Sequence, residues 1–217
     1  MKYRKNHKSP IVPEGLPYII PAGAVTIVTF SFGDLWMALP MSVVTAFVIW
    51  FFRNPNRKIS EDNRVVVSPA DGKVITIENV TENDLLKCPC KKISIFMSLF
   101  NVHVNRVPYS GMVSNIRYEK GKFLAANLSK ASFLNEKNSV LFKTDEGKEI
   151  LTVQVAGIIA RRIVCWLKEG MHVQKGERFG LIQFGSRLEV FLPFDTTVCL
   201  RMGDKVKAGE TPMGYLT

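Results

Sequence analysis

The sequence predicts a mainly β (α+β) protein, with a compact β-rich domain preceded by an N-terminal hydrophobic helical hairpin. Three observations carry this. Leu16 to Phe52 contains one charged residue, Asp34. After Pro55, short runs rich in Val, Ile or Phe recur between Gly, Pro, Asn and Asp. Near the C-terminus, two glycine-marked segments repeat one another. With 217 residues, the chain is long enough for one sizeable core and a short accessory segment.

The apolar segment divides at Gly33-Asp34 into Leu16–Phe32 and Leu35–Phe52, 17 and 18 residues long. Each stands near the lower limit of roughly 17–25 residues for a helix that crosses a bilayer. Pro17, Pro21, Gly23 and Pro40 interrupt both halves. A hairpin that spans twice and a shallow pair lying in the interface both fit.

The net charge is +10, and the flanks of this segment (residues 1–15, then Arg53, Arg57 and Lys58) each supply +3. The basic residues bracket apolar sequence instead of lining a helix, which argues for anionic lipid headgroups and against nucleic acid. No small-residue cleavage pattern marks a signal peptide. Positive charge on both sides keeps both ends on one face of a membrane. Residues 1–55 are therefore expected to be a basic tail and membrane-anchoring segment. The domain of residues 56–217 is expected on the cytoplasmic side of the cell (inner) membrane.

Strands are expected at Arg64–Val67, Lys73–Glu78, Lys92–Leu99, Gly111–Tyr118, Ser139–Thr144, Ile150–Ala156, Gly180–Phe184, Leu188–Leu192 and Thr197–Leu200. Gly157–Trp166 is apolar enough for a strand or a short buried helix, and periodicity does not decide between them. The repeat is Gly170-x-x-Val173-x-x-Gly176-Glu177-x-x-Gly180, echoed by Gly203-x-x-Val206-x-x-Gly209-Glu210-x-x-x-Gly214. Its turn pattern is that of barrel-sandwich-hybrid hairpins, as in lipoyl and biotin carriers, and the second copy is expected to pair beside the first. Neither copy presents a lysine at a comparable tip.

Cys88, Cys90, Cys165 and Cys199 show no disulfide-framework spacing. Cys88-Pro-Cys90 has the form of a metal pair, but no second pair or neighbouring histidine completes a site, so no metal is expected. Reduced thiols fit a cytosol-facing domain.

The chemistry-bearing residues are few. Gly185-Ser186 joins two strand-like runs, and glycine there leaves its carbonyl open to the neighbouring hydroxyl. On those two residues alone a bulge or turn explains the pair as well. His7 lies in the basic tail and His172 in a turn. His103, at the end of a hydrophobic strand, is the imidazole placed to act as acid or base. Asp71 lies in Ser-Pro-Ala-Asp-Gly72, a good type I turn sequence. Such an aspartate can also orient a histidine, the third role in a serine–histidine–aspartate constellation.

These segments resemble the phosphatidylserine decarboxylase proenzymes of the short (archaeal-type) branch. The matching runs are collinear: Phe-Phe-Arg-Asn-Pro55, Ser-Pro-Ala-Asp-Gly72, Phe-Met-Ser-Leu-Phe-Asn-Val-His-Val-Asn-Arg-Val-Pro108, Gly-Lys-Phe-Leu124, Lys-Ala-Ser132, Asn-Glu136, Gln-Val-Ala-Gly-Ile-Ile-Ala-Arg-Arg-Ile-Val164 and Lys-Gly-Glu-Arg-Phe-Gly-Leu-Ile-Gln-Phe-Gly-Ser-Arg187. The resemblance implies autocatalytic serinolysis at Gly185-Ser186. It also implies a heterodimer of a large subunit (1–185) and a small subunit (186–217), and a covalent pyruvoyl group derived from Ser186. That group would form a Schiff base with phosphatidylserine and release phosphatidylethanolamine. It further implies His103 as general base and acid, with Asp71 orienting it.

The long bacterial forms carry Leu-Gly-Ser-Thr and a second histidine three residues after the first. This chain has Phe-Gly-Ser-Arg and Arg106 at those places. Either His103 then covers both cleavage and decarboxylation or another group assists, and Arg106 can contact the substrate carboxylate or phosphate. Two rival readings stay open at this point. One is a membrane-bound serine hydrolase using Ser186, His103 and Asp71, and the other a non-enzymatic lipoyl-like module.

Overall fold

The computed structural model describes residues 9–122, 134–157, 162–183 and 185–217. It divides between Asn56 and Arg57 into a helical unit and a β unit. The expected segments around Leu124 and Ser132, part of the run ending at Val164, and Phe184 lie outside the described residues.

In the helical unit, α1 (Leu16–Ser31) and α2 (Leu35–Phe51) form the expected hairpin. Gly33 turns the chain at φ +71°, and Asp34 Oδ1 accepts the Met37 N–H at 3.1 Å, capping α2. The Thr26 and Thr45 hydroxyls meet at 3.0 Å between the helices. At the base, Phe52 stacks on Tyr18 with centroids 5.5 Å apart. A Cβ on Gly15 would lie 2.6 Å from the Phe52 ring, so only glycine fits there. Among the described residues, sixteen of the 22 exposed large hydrophobics belong to these two helices and the turn between them. No helix among the described residues is long and apolar enough to cross a membrane.

The β unit runs β1 (Val65–Val67), β2 (Gly72–Glu82), β3 (Cys88–Met97), β4 (Val104–Arg106), β5 (Gly111–Glu119), β6 (Lys137–Lys143) and β7 (Glu149–Ala156). It continues through β8 (Ile163–Cys165), β9 (His172–Val173), β10 (Arg178–Ile182), β11 (Ser186–Pro193), β12 (Thr197–Val198), β13 (Lys205–Val206) and β14 (Pro212–Tyr215). Eight strands form one curled antiparallel sheet, ordered β13-β2-β3-β11-β7-β6-β5-β9. Two three-stranded sheets, β1-β14-β12 and β4-β10-β8, complete the unit. Each of the nine expected strands is present, with shifted ends, and the undecided stretch supplies β8.

Period-two alternation places the core. On β11, Leu188, Val190 and Leu192 face inward against Ile93, Ile95, Met97, Val140, Phe142 and Ile150. Phe191 faces the other side, among Leu151, Val153 and Val155.

The repeat is organised differently from expectation. Its two copies do not pair with each other: β9 and β13 end opposite edges of the long sheet, β9 on β5 and β13 on β2. Curling brings the copies together instead. A Cβ at Gly176 or at Gly209 would strike the same Ile59 side chain, at 2.3 and 2.8 Å, so both close approaches require glycine.

A second, fainter duplication accompanies this one. Ser68-Pro-Ala-Asp-Gly72 leads into β2 as Val107-Pro-Tyr-Ser-Gly111 leads into β5. The Gly209 N–H donates to the Ser68 carbonyl at 2.7 Å, and the Gly176 N–H donates to the Val107 carbonyl at 2.8 Å. The two turns also clasp each other: Val67 N–H donates to the Pro108 carbonyl and Arg106 N–H to the Pro69 carbonyl. The β unit is thus two similar halves with their Pro-containing turns in contact.

Candidate active site

Ser186 is the first residue of β11, opposite Met97 on β3 and Ala156 on β7. It is fully buried, and its hydroxyl lies 3.4 Å from Met97 Sδ. Gly185 before it has φ +66° with open space where a Cβ would stand, so its backbone conformation rather than crowding selects glycine. The chain leaves this left-handed residue straight into a central strand paired on both edges. On the opposite face of β11, buried Arg187 places Nε 3.1 Å from Glu189 Oε1, and Lys92 Nζ reaches the same oxygen at 3.6 Å. Burial pushes the Arg187 pKa down, against the pull of Glu189 and Glu78.

His103 is brought to this end of the sheet by a turn that follows β3. The Asn101 side chain fixes the turn by accepting the Ser98 N–H and hydroxyl at 2.9 and 2.8 Å. His103 is buried, and its Nδ1 lies 3.0 Å from the Asn101 carbonyl oxygen. In the neutral ring that contact makes Nδ1 the protonated nitrogen and Nε2 the basic one. Val104 pairs with Leu181. One further step of that antiparallel register sets His103 opposite Ile182, four residues before Ser186.

Asp71 precedes β2, and Lys73 pairs with Phe96 on β3. It therefore flanks the Met97 end of β3 on one side as Ser186 does on the other, two strand spacings or about 10 Å apart in backbone. Its carboxylate is held by Arg57 Nη2, which donates to both oxygens at 3.0 and 2.7 Å, and by the Ala208 N–H at 2.7 Å. Arg57 also reaches Glu210 at 3.4 Å. The hydrogen bonds described at Asp71 thus run to Arg57 and Ala208, and the one described at His103 Nδ1 runs to Asn101. Sequence reasoning missed Arg57 by counting it among the basic flank of the hairpin.

Arg106 lies on the face of β4 that packs between the two repeats. It is buried, Nη1 donates to the Gly176 carbonyl at 2.7 Å, and its stem lies beside Gly209. Burial, then the neighbouring Arg178 and Arg57, push its pKa down to about 10, against Asp71 and Glu210. Met97, Asn105 and Gln154 also gather here unannounced by the sequence. Asn105 was visible only inside the family-like run ending at Pro108, and nothing in the pattern separates Gln154 from an ordinary polar strand residue. Cys88 is exposed and Cys90 buried on β3, at a distance in sequence and strand register from Ser186.

The arrangement supplies a buried hydroxyl directly after a left-handed glycine with open space on its Cβ side, and a histidine leading into the adjoining sheet. The phosphatidylserine decarboxylase family model matches residues 44–214. A phosphatidylserine decarboxylase proenzyme of Syntrophus aciditrophicus is 54% identical over 209 residues, 96% of this chain and 98% of its own. Proenzymes of the same description from Geotalea uraniireducens and Desulfotalea psychrophila are 49% and 45% identical. They cover 98% and 95% of this chain, and 99% and 97% of their own lengths. The chain belongs to the phosphatidylserine decarboxylase family.

Proposed function

We propose that the chain is the proenzyme of a carboxy-lyase that converts phosphatidylserine to phosphatidylethanolamine, maturing by self-cleavage at Gly185-Ser186. The observation that carries this is the position of Ser186, buried at the start of β11 directly after a left-handed glycine. A cut there leaves the small subunit in place, because β11 is paired with β3 over eight residues and with β7 over six. A serine hydrolase would need an open nucleophile, whereas Ser186 has no exposed surface.

In maturation, His103 Nε2 takes the hydroxyl proton as Ser186 Oγ attacks the Gly185 carbonyl carbon. The Gly185–Ser186 C–N bond breaks, its nitrogen gains a proton, and an ester forms. Removal of the Ser186 α-proton then expels the Gly185 carboxylate. The resulting dehydroalanine takes up water and loses ammonia, leaving a pyruvoyl group on residue 186. Ser186 and Gly185 fit that origin, one by its burial within the sheet and the other by its left-handed backbone and absent side chain. The pyruvoyl ketone supplies the electron sink for loss of CO2 from an amino acid, which no ordinary side chain provides. His103 returns a proton to the α-carbon. Asp71 steadies the His103 neighbourhood through its turn and the clasp between Pro69 and Arg106. Arg106 meets the substrate carboxylate or phosphate through its guanidinium charge.

The exposed hairpin holds the enzyme at a lipid surface on the cytoplasmic side. Helices of 16 and 17 residues are about 24–26 Å long against a hydrocarbon core of about 30 Å, so the hairpin lies in the interface. Intact mass of purified protein tests the reading. The expected result is two chains, 1–185 and 186–217, the second lighter by one ammonia than the peptide itself. Ser186→Ala should stay full-length and inactive. An uncut wild-type chain overturns the proposal.

A further inference from the structure

Two amide side chains occupy the inner face of the long sheet where its neighbours are apolar. Asn138 on β6 and Gln154 on β7 are direct cross-strand partners, both buried, and Gln154 lies opposite Leu188 on β11. Buried amides need partners, and these form a directed chain. Asn138 Nδ2 donates to Gln154 Oε1 at 2.9 Å. Gln154 Nε2 donates to Asn105 Oδ1 at 2.8 Å. Asn105 Nδ2 then points at Met97 Sδ, 3.8 Å away, the same sulfur that faces Ser186 Oγ at 3.4 Å.

The fold clears a path for this chain. Gly180 pairs with Asn105, and a Cβ there would stand 3.2 Å from Gln154 Nε2 and 2.2 Å from the Val164 carbonyl oxygen. The terminal acceptor is the informative part. A tie with a purely structural task would end on a carbonyl, which binds an N–H well. A thioether is a weak acceptor. It holds the Asn105 N–H and the Ser186 hydroxyl loosely, so neither is locked away from an oxygen that gains charge or a base that takes a proton. The three amides donate in one sense, so each polarises the next and the chain presents its N–H end to Met97 Sδ, the sulfur that Ser186 Oγ faces.

Resting on the reading of Gly185-Ser186 as the bond that is cut, we propose that Asn138, Gln154 and Asn105 form a positioning relay for self-cleavage. The relay holds Met97 Sδ with a polarised amide N–H and so fixes that sulfur against Ser186. It also ties the strand that follows His103 to β7, the strand beside Ser186. Its members act on Ser186 through Met97 and are positioning residues.

Cell-free synthesis of the full chain, sampled over time by intact mass, reads the cleavage rate directly. Gln154→Met keeps the volume and removes the amide. Gln154→Glu keeps the acceptor for Asn138 but cannot donate to Asn105 while ionised, so Asn105 turns its oxygen toward Met97. Both should slow cleavage by about tenfold or more, the scale of a small misplacement at a reacting centre. Melting temperatures, taken in the uncut Ser186→Ala background, separate positioning from folding. Should Gln154→Met not fold, Gln154→Glu is the variant scored. Cleavage at the wild-type rate overturns the relay, and so does slowing matched by loss of a cooperative melt in both variants. If the wild-type chain is itself never cut, the scissile-bond reading fails instead.

Discussion

Asp71 and Ser110 are the same residue of two similar turns. Asp71 Oδ1 accepts the Ala208 N–H at 2.7 Å, and Ser110 Oγ accepts the Lys175 N–H at 3.0 Å, each one residue before the repeat glycine, Gly209 or Gly176. The architectural task of the position is therefore to accept one amide, and a hydroxyl suffices for it. What Asp71 adds is charge, and that charge is matched by Arg57.

Replacing Asp71 by Ser should accordingly spare the turn and break the ion pair. The side chains of Arg57 and Asp71 are 10% and 11% exposed, so removing Asp71 leaves a largely buried guanidinium with only the longer Glu210 contact among its described ion pairs. A cost of about 3 kcal/mol is expected, read from urea unfolding in the Ser186→Ala background. Arg57→Met should cost a similar amount. If Asp71 acts on His103 as proposed, Asp71→Asn slows self-cleavage more than Arg57→Met does. Equal slowing would assign the effect to the ion pair alone.

Gly185 gives a test of backbone rather than space. Its φ of +66° costs an L side chain about 1–2 kcal/mol, while the space around it is open. Self-cleavage should therefore follow the order Gly185, Gly185→Asn, Gly185→Ala, since Asn tolerates the left-handed region better. Alanine should be roughly tenfold slower than wild type if that strain reaches the transition state in full. An alanine variant cleaved at the wild-type rate would show that the left-handed conformation is not needed for attack.

Long elements were legible in the sequence because burial imprints a period on them. β2, β3, β5, β6, β7 and β11 each carry enough alternating Val, Ile and Phe to reveal a strand, and the charge-poor segment divides at Gly33-Asp34 as its turn does. β4, β9 and β13 have two or three residues each, too few for any period to register. The glycine repeat announced turns but not pairing, because turn geometry fixes local direction and leaves the sheet partner to the rest of the chain. At the site, Gly185, Ser186 and His103 stood out by residue type. Arg57, Met97 and Gln154 did not, since their roles depend on which side chains the curled sheet brings opposite them.

The four thiols should separate by burial. Cys88 and Cys199 are exposed, whereas burial pushes the pKa of Cys90 and of Cys165 up from 9.0. The Glu82 backbone opposes this at Cys90, and the Leu167 backbone and the Asn138 amide oppose it at Cys165. A raised thiol pKa keeps the unreactive S–H form to higher pH. Folded uncut protein at pH 8 should thus show two fast and two slow equivalents with a disulfide reagent, and four fast ones when unfolded. The sign for stability follows: both states hold the proton below the unfolded value, so nothing is lost there. Above it the folded form resists ionisation, and stability falls as pH rises. Four equally fast thiols in the folded chain would contradict this burial pattern.

The hairpin tip offers the sharpest test of membrane attachment. Phe32 and Trp36 are 85% and 93% exposed on either side of the Gly33-Asp34 turn. Burying each against lipid is worth about 1.5–3 kcal/mol. Phe32→Gln with Trp36→Gln should then weaken binding to phosphatidylcholine–phosphatidylglycerol vesicles by at least about a hundredfold in co-sedimentation. Salt should act on a different part of the binding. Raising the ionic strength screens the basic flank around Arg53 and weakens wild type and variant by the same factor, while the apolar contribution of the tip persists. Wild-type affinity in the double variant would show that the tip does not enter the lipid. In that case the remaining exposed faces of α1 and α2, with Ile27 at 68% and Val43 at 70%, would have to carry the attachment.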